Sequence, residues 1–181
     1  TSFTLAEGAG DTDNAAFTID GDRLKIVAPL NFEAKPQHTI RVKATDAGGL
    51  SVERNFLVKV TNVPEAPVAI AISNDSIAEN LKKGATIGRL SATDEDAGEK
   101  HTFKLIDSPA GVGNDNALFS ISGYNLRTNA VLDFDATPQL SVLVEVTDRS
   151  KLTYTQVLTI NVTDANDAPT GLTIDPATIA E

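Results

Sequence analysis

Two stretches decide the fold: Ile40-Arg41-Val42-Lys43-Ala44-Thr45-Asp46 and, 102 positions later, Val142-Leu143-Val144-Glu145-Val146-Thr147-Asp148. In both, apolar side chains fall at every second position and an aspartate closes the run. Period-two alternation sends one set of side chains into a core and the other into water, the pattern of a half-buried antiparallel strand. The recurrence of the whole pattern makes it one element of a repeat.

Working outward, the same offset aligns Phe17-Thr18-Ile19-Asp20-Gly21 with Phe119-Ser120-Ile121-Ser122-Gly123, and Leu30-Asn31-Phe32-Glu33 with Leu132-Asp133-Phe134-Asp135. It also aligns Asn62-Val63-Pro64-Glu65-Ala66-Pro67 with Asp164-Ala165-Asn166-Asp167-Ala168-Pro169, and Ile77-Ala78-Glu79 with Ile179-Ala180-Glu181. Near the N-terminus the register slips by two, so that Phe3 and Leu5 match Phe103 and Leu105. A repeat of this length is a domain array rather than a solenoid. The expected organisation is a partial copy over residues 1–65 lacking its first two strands, a complete copy over 66–167, and the start of a third over 168–181. The chain does not begin with Met, and it reads as a piece excised from something longer.

In the complete copy, runs rich in Val, Ile, Thr and Phe predict seven strands: 68–73, 86–92, 101–106, 118–121, 124–127, 139–147 and 154–162. The last two are expected to pair as a hairpin. No segment sustains a 3.6-residue period. Seven short strands broken by Asp, Asn, Gly and Pro clusters predict an all-β chain of tandem Ig-like antiparallel sandwiches, the first truncated at its N-terminus.

Composition narrows the function. The net charge is −10, which opposes binding to nucleic acid or anionic lipid and suits cations. No apolar run approaches the ~20 residues of a membrane span, so no direct membrane insertion is expected. There is no Cys, which excludes a disulfide scaffold, a thiol nucleophile and Cys-ligated zinc. Asp11-Thr12-Asp13-Asn14 lacks the glycine and closing glutamate of an EF-hand, with Ala16 and Asp22 at those positions. His38 and His101 share no motif and are expected at exposed strand starts. Motifs for acyl hydrolysis or phosphate binding are absent, and no enzymatic role is expected. Asn161-Val162-Thr163 is a formal glycosylation sequon.

What remains is an ordered set of oxygen ligands at strand ends and loops of the complete copy: Glu79, the D-x-D pair Asp94 and Asp96, Asp133 and Asp135, Asp148, then Asp164, Asn166 and Asp167. With Ala78-Glu79-Asn80, the Leu-Asp-x-Asp run at 132–135, the Val-Thr-Asp strand end and the D-x-N-D-x-P linker, this set resembles the cadherin repeat family along the whole chain. The Ala47-Gly48-Gly49-Leu50-Ser51 turn and the missing Cys look more like the bacterial cadherin-like repeats of very large surface or secreted proteins than like animal adhesion receptors.

That resemblance implies Ca²⁺ between successive repeats, an extracellular or cell-surface location, and neighbouring cadherin-like repeats as partners. A homophilic or glycan partner is the further expectation. It implies a C-terminal half-site of Glu79, Asp133, Asp135, Asp164, Asn166 and Asp167. It also implies a middle set of Glu33, Asn62, Glu65, Asp94, Asp96 and Asp148. The middle set is degraded, with Asn31, Asn62 and Pro64 where Asp133, Asp164 and Asn166 stand one repeat later. One or two weak ions at most are expected there. Two rival readings are a carbohydrate-binding sandwich, for which few aromatics are at hand, and an inert spacer. A head-to-tail swap, with residues 170–181 pairing onto the open first copy of another molecule, is a further expectation.

Overall fold

The computed structural model describes residues 1–107, 113, 115–169 and 171–172. The chain divides into two compact units: residues 1–65 with 95–98, and 66–94 with the remainder from 99 onward. The proposed swap segment, 170–181, lies almost wholly outside the described residues.

The first unit holds β1 (Ser2–Leu5), β2 (Phe17–Asp20), β3 (Arg23–Ile26), β4 (Gln37–Thr45) and β5 (Ser51–Lys59). Strands β1, β4 and β5 form one antiparallel sheet in that order, and β2 pairs with β3. The second unit holds β6 (Ala69–Ile72), β7 (Ser76–Ala78), β8 (Thr86–Thr93), β9 (Thr102–Leu105), β10 (Phe119–Ser122), β11 (Asn125–Thr128), β12 (Gln139–Thr147) and β13 (Thr153–Thr163). Its two four-stranded sheets run β10-β11-β8-β6 and β7-β13-β12-β9. This is the two-sheet sandwich that the alternation predicts.

The registers carry the sequence repeat into three dimensions. Thr45 opposes Ser51 across β4 and β5, and Thr147 opposes Thr153 across β12 and β13. Ser2 opposes Thr45, whereas Thr102 opposes Thr147, so the two-residue slip lies in the loop after β1. Asn14 and Asn116 clamp that loop in both units. The Asn116 side-chain amide donates to the Ile106 carbonyl and its Oδ1 accepts from the Leu143 N–H; Asn14 does the same with Ala6 and Arg41. The aspartates before these asparagines are likewise structural. Asp13 Oδ2 accepts the Thr39 N–H at 2.7 Å, and its carboxyl is held below the ordinary range by Lys35 first and by that N–H second.

Burial of the β12 and β13 inner faces builds the second core. Leu140, Val142, Val144 and Val146 from β12 meet Leu158, Ile160 and Val162 from β13, with Leu90, Phe119 and Leu126 from the facing sheet. Each such side chain contributes roughly 1.5–3 kcal/mol when taken out of water. One polar tie crosses the core: Gln156 of β13 accepts the Ile70 N–H of β6 at 2.9 Å. Leu143 points to the opposite face yet is also covered. Gly113, with φ of +60°, passes so close that a Cβ there would lie 2.6 Å from the Leu143 nitrogen.

Three sequence expectations change. Among the described residues the complete copy has eight strands rather than seven, because the segment after β6 forms a second strand, β7. Asn74 breaks the run between them, its side-chain amide donating to the Ser76 and Ile87 carbonyls. Strand β7 then pairs in parallel with β13 in the other sheet. His38 is not at an exposed strand start. It is buried edge-on to Phe17 at 5.6 Å, because it occupies the inner-face position that Leu140 fills one repeat later. His101 is mostly covered too, and its ring contacts Asp94 at 2.9 Å.

In the second unit β6, β7 and β8 cover what the first unit leaves bare. There, a cavity of about 510 Å³ is lined by Phe3, Ile19, Leu24, Ile40, Val42 and Phe56, among others. Ile26 and Phe56 remain about half exposed.

The turns after β4 and β12 test backbone strain. Gly49 has φ of +86°, and its repeat counterpart Lys151 has φ of +75°. The left-handed region costs an L-residue with a Cβ roughly 1–2 kcal/mol. Part of that relief is offset by glycine's greater freedom in the unfolded chain. Lys151→Gly is therefore expected to stabilise the second unit by about 0.5–1 kcal/mol, read as a higher midpoint in urea unfolding.

Candidate metal centre

The C-terminal ligand set is assembled around Glu79, which is almost completely buried. Strand β7 ends just before it, and the Glu79 N–H continues the ladder to the Thr163 carbonyl at 3.0 Å. Its carboxylate oxygens accept two backbone N–H groups, Phe134 at 2.7 Å and Ala165 at 2.9 Å. A single side chain thus holds the 132–135 turn and the 164–167 linker at the end of β7. Charge-assisted bonds of this kind contribute about 1.5–3 kcal/mol each.

Around this anchor the carboxylates crowd. Asp133 caps its own turn, Oδ1 accepting the Ala136 N–H at 3.0 Å. The Asp164 carboxyl is pushed above the ordinary carboxylate value of 3.8 by desolvation, then by the charges of Glu79 and Asp135, a hydrogen bond shared with Glu79, and the charge of Asp167. Among the described residues, none of Asp133, Asp135, Asp164 and Asp167 takes part in an ion pair. Asn166 is exposed, and its amide reaches only the Asp167 carbonyl at 3.3 Å.

Asn80 belongs to the set although the sequence reading gave it no role. It adopts φ of 59°, a left-handed conformation that Asn tolerates better than most residues. From there its N–H bonds the Leu132 carbonyl at 3.0 Å, and its side-chain amide donates to Asp167 Oδ1 at 2.5 Å. The Ala-Glu-Asn triplet is the available signal: the third residue positions a ligand.

The middle set divides between the two units. Within the first unit Glu33, Glu65 and Asp96 each bring a carboxylate oxygen within 4.8 Å of the others. Two charges about 4 Å apart repel by about 1 kcal/mol in water and about 4 kcal/mol at the effective dielectric of a protein surface. Asn62 joins them: its amide donates to Asp96 Oδ1 at 3.0 Å, and the Glu65 N–H donates to Asp96 Oδ2 at 3.0 Å. Asp94 and Asp148 belong to the second unit. Asp94 is bonded to His101. Asp148 is buried; its Oδ1 accepts the Leu152 N–H at 2.8 Å, while Oδ2 has no hydrogen-bond partner among the described residues.

Oxygen chemistry decides what these groups can hold. Calcium takes six to eight oxygens at flexible geometry, from carboxylates and carbonyls. The C-terminal set fits such an ion: it is an all-oxygen cluster whose mutual repulsion a dication would relieve. The orphaned Asp148 Oδ2 fits one as well, since a buried carboxylate oxygen without a donor is costly. The first-unit set fits less well. Asn31 and Asn62 turn N–H donors, which cannot ligate a cation, toward Glu95 and Asp96.

A family profile described as the cadherin domain matches residues 74–163. Protocadherin gamma-B7 of Homo sapiens is 31% identical over 168 residues, covering 88% of this chain and 18% of that protein. Protocadherin Fat 2 of Mus musculus is 28% identical over 155 residues, covering 81% of this chain and 4% of that one. The chain therefore spans less than a fifth of the length of these relatives. Among solved structures, human protocadherin-24 EC1-2 superposes with a TM-score of 0.64 at 19% identity, over 91% of this chain and 82% of that one. The protocadherin gammaB7 EC3-6 cis-dimer structure gives 0.56 at 29% identity, over 92% and 40%.

Two outcomes are expected at the C-terminal set. Glu79→Ala strands the Phe134 and Ala165 N–H groups, and relief of repulsion on Asp164 offsets only part of the loss. The second unit should lose about 2–3 kcal/mol, measured by urea unfolding in EGTA. For Asp164 the folded chain keeps its proton to higher pH than the unfolded chain does. Its contribution is therefore a loss of stability as pH rises from about 3.8 through the raised folded value. Calcium-free Asp164→Asn should lack that loss and be more stable than the wild type at neutral pH, read as the difference between the two melting curves across pH.

Proposed function

The chain belongs to the cadherin repeat family, and from that membership we propose that it is a calcium-binding module of an extracellular adhesive repeat array. The observation that carries the reading is the C-terminal set, where Glu79, Asp135 and Asp167 act electrostatically on Asp164, Glu79 holds the turn that bears Asp133, and none of the four aspartates has an ion-pair partner among the described residues. Asn166 supplies a further oxygen when its exposed side chain turns inward. Calcium, when bound, supplies the positive charge this cluster lacks.

The chain's own residues do the positioning. Glu79 fixes the linker against the 132–135 turn, Asn80 aims Asp167, and Asp133 uses one oxygen for its turn and keeps the other for a ligand role. Asp94 and Asp148 contribute from the opposite end of the same repeat. In the first unit Glu33, Glu65 and Asp96 make a weaker set, and Asn62 turns its amide donor rather than its oxygen toward Asp96. Ion binding then reduces flexibility at the linker and lets successive repeats extend as a stiff rod, with a neighbouring repeat as the immediate partner.

Adhesion through like molecules is the partner class that fits best. The relatives include protocadherins, and one matched structure is described as a cis-dimer. No helix among the described residues is long and apolar enough to cross a membrane. A bacterial setting rests only on the cysteine-free composition and the 47–51 turn. Glycan recognition has less in its favour, because Arg89 lies 4.5 Å over the Tyr124 ring and takes a face on which a sugar would stack. An enzymatic role is not part of this reading.

Calorimetric titration with Ca²⁺ is expected to show binding in the millimolar range typical of extracellular calcium modules, and Asp135→Asn with Asp164→Asn should abolish most of the heat. Small-angle scattering of a chain extended by the following repeat should report a longer, stiffer particle in Ca²⁺ than in EGTA. Identical profiles, with identical melting temperatures, would refute the proposal.

A further inference from the structure

The repeat places the same turn in both units with one atom changed. In the second unit Asp133 Oδ1 accepts the Ala136 N–H, and the other atom of that carboxylate is an oxygen. In the first unit Asn31 Oδ1 accepts the Ala34 N–H at 2.7 Å, and the other atom is Nδ2, which donates to Glu95 Oε2 at 2.9 Å. The backbone donor settles the orientation of the amide: flipping it would set two N–H groups against each other. Asn62 repeats the substitution at the linker. It stands where the next repeat has Asp164, and its amide donates to Asp96. The Glu65 N–H takes the second Asp96 oxygen.

We propose that the Glu95–Gly98 segment is clasped onto the first unit by these amide donors, so that hydrogen bonds from Asn31 and Asn62 do there what a calcium ion does at the carboxylate set of the next repeat. This inference rests on the calcium reading of the C-terminal cluster, with which it contrasts. Each Asp-to-Asn exchange removes a negative charge from a crowded set and adds a donor facing a remaining carboxylate. The consequence is a clasp that stays closed without calcium, in the same chain as a cluster that needs it. Chelation then loosens the array at some linkers and spares others.

The test is a ¹⁵N spectrum of the full chain titrated with Ca²⁺ from EGTA to about 10 mM, an order above the affinities usual for extracellular modules. The side-chain amides of Asn31 and Asn62 are expected to hold their positions while that of Asn80, which bonds Asp167, moves. Asn31 and Asn62 signals that move with the Asn80 midpoint would overturn the clasp. An unmoved Asn80 would overturn the calcium reading instead, and the clasp is then decided by Asn31→Asp, alone and with Asn62→Asp. These variants keep the Ala34 acceptor but set like charges against Glu95 and Asp96. In EGTA the double variant should melt several degrees below the wild type at neutral pH, in line with the loss of two surface hydrogen bonds, and recover in Ca²⁺. Wild-type melting of the double variant in EGTA would refute the clasp.

Discussion

A buried carboxylate must be matched by donors, and in this molecule the match is made by backbone. Glu79 is nearly inaccessible, and its two oxygens accept N–H groups from segments 55 and 86 residues away. Those bonds bring the 132–135 turn and the 164–167 linker to the same place, so the convergence of acidic side chains follows from satisfying one buried charge. The desolvation, and after it the crowding of charge, that raise the Asp164 carboxyl are consequences of that assembly. A fold that concentrates negative charge at one end of a sandwich creates its own demand for a cation.

The two units answer that demand differently. The second keeps aspartate at the corresponding turn and linker positions, Asp133 and Asp164, and the charges of Glu79, Asp135 and Asp167 act on Asp164. The first exchanges oxygen for nitrogen at Asn31 and Asn62, whose amides turn toward Glu95 and Asp96, while Glu33, Glu65 and Asp96 stay close together. The backbone of the turn is the same in both, since an Asn or an Asp oxygen caps it equally well. Side-chain chemistry can therefore change from linker to linker while the sandwich is left alone, which is what a long array needs if its joints are to differ.

Much of the sandwich was legible in the sequence because β12 and β13 alternate cleanly and recur at a fixed spacing. Strand β7 was not, since Ser76-Ile77-Ala78 is too short to show a period, and its parallel partner lies more than eighty residues away. His38 was misread because a polar residue was judged by its type; the offset to Leu140 placed it on the inner face. The acidic residues were legible as a family pattern, and the structure brings Glu79, Asp135 and Asp167 near enough to act on Asp164. The role of Asn80 was hidden because it acts by its backbone conformation. In the sequence Asn31 reads as a lost ligand and Asn62 as a retained one, and only the contacts to Glu95 and Asp96 reveal both as donors.

The pairing of β7 with β13 also bears on how a repeat carries load. Ser76, Ile77 and Ala78 lie parallel to Asn161, Val162 and Thr163, near the points where the chain enters and leaves the repeat. Tension along an array pulls these two strands in opposite directions along their length. Their hydrogen bonds, with the Asp75 and Glu79 bonds that flank them, are then strained together in shear, where an antiparallel hairpin would open one bond at a time. The buried Glu79 carboxylate closes the same seam, so the residue that gathers the ligands also locks the repeat against being drawn out by force.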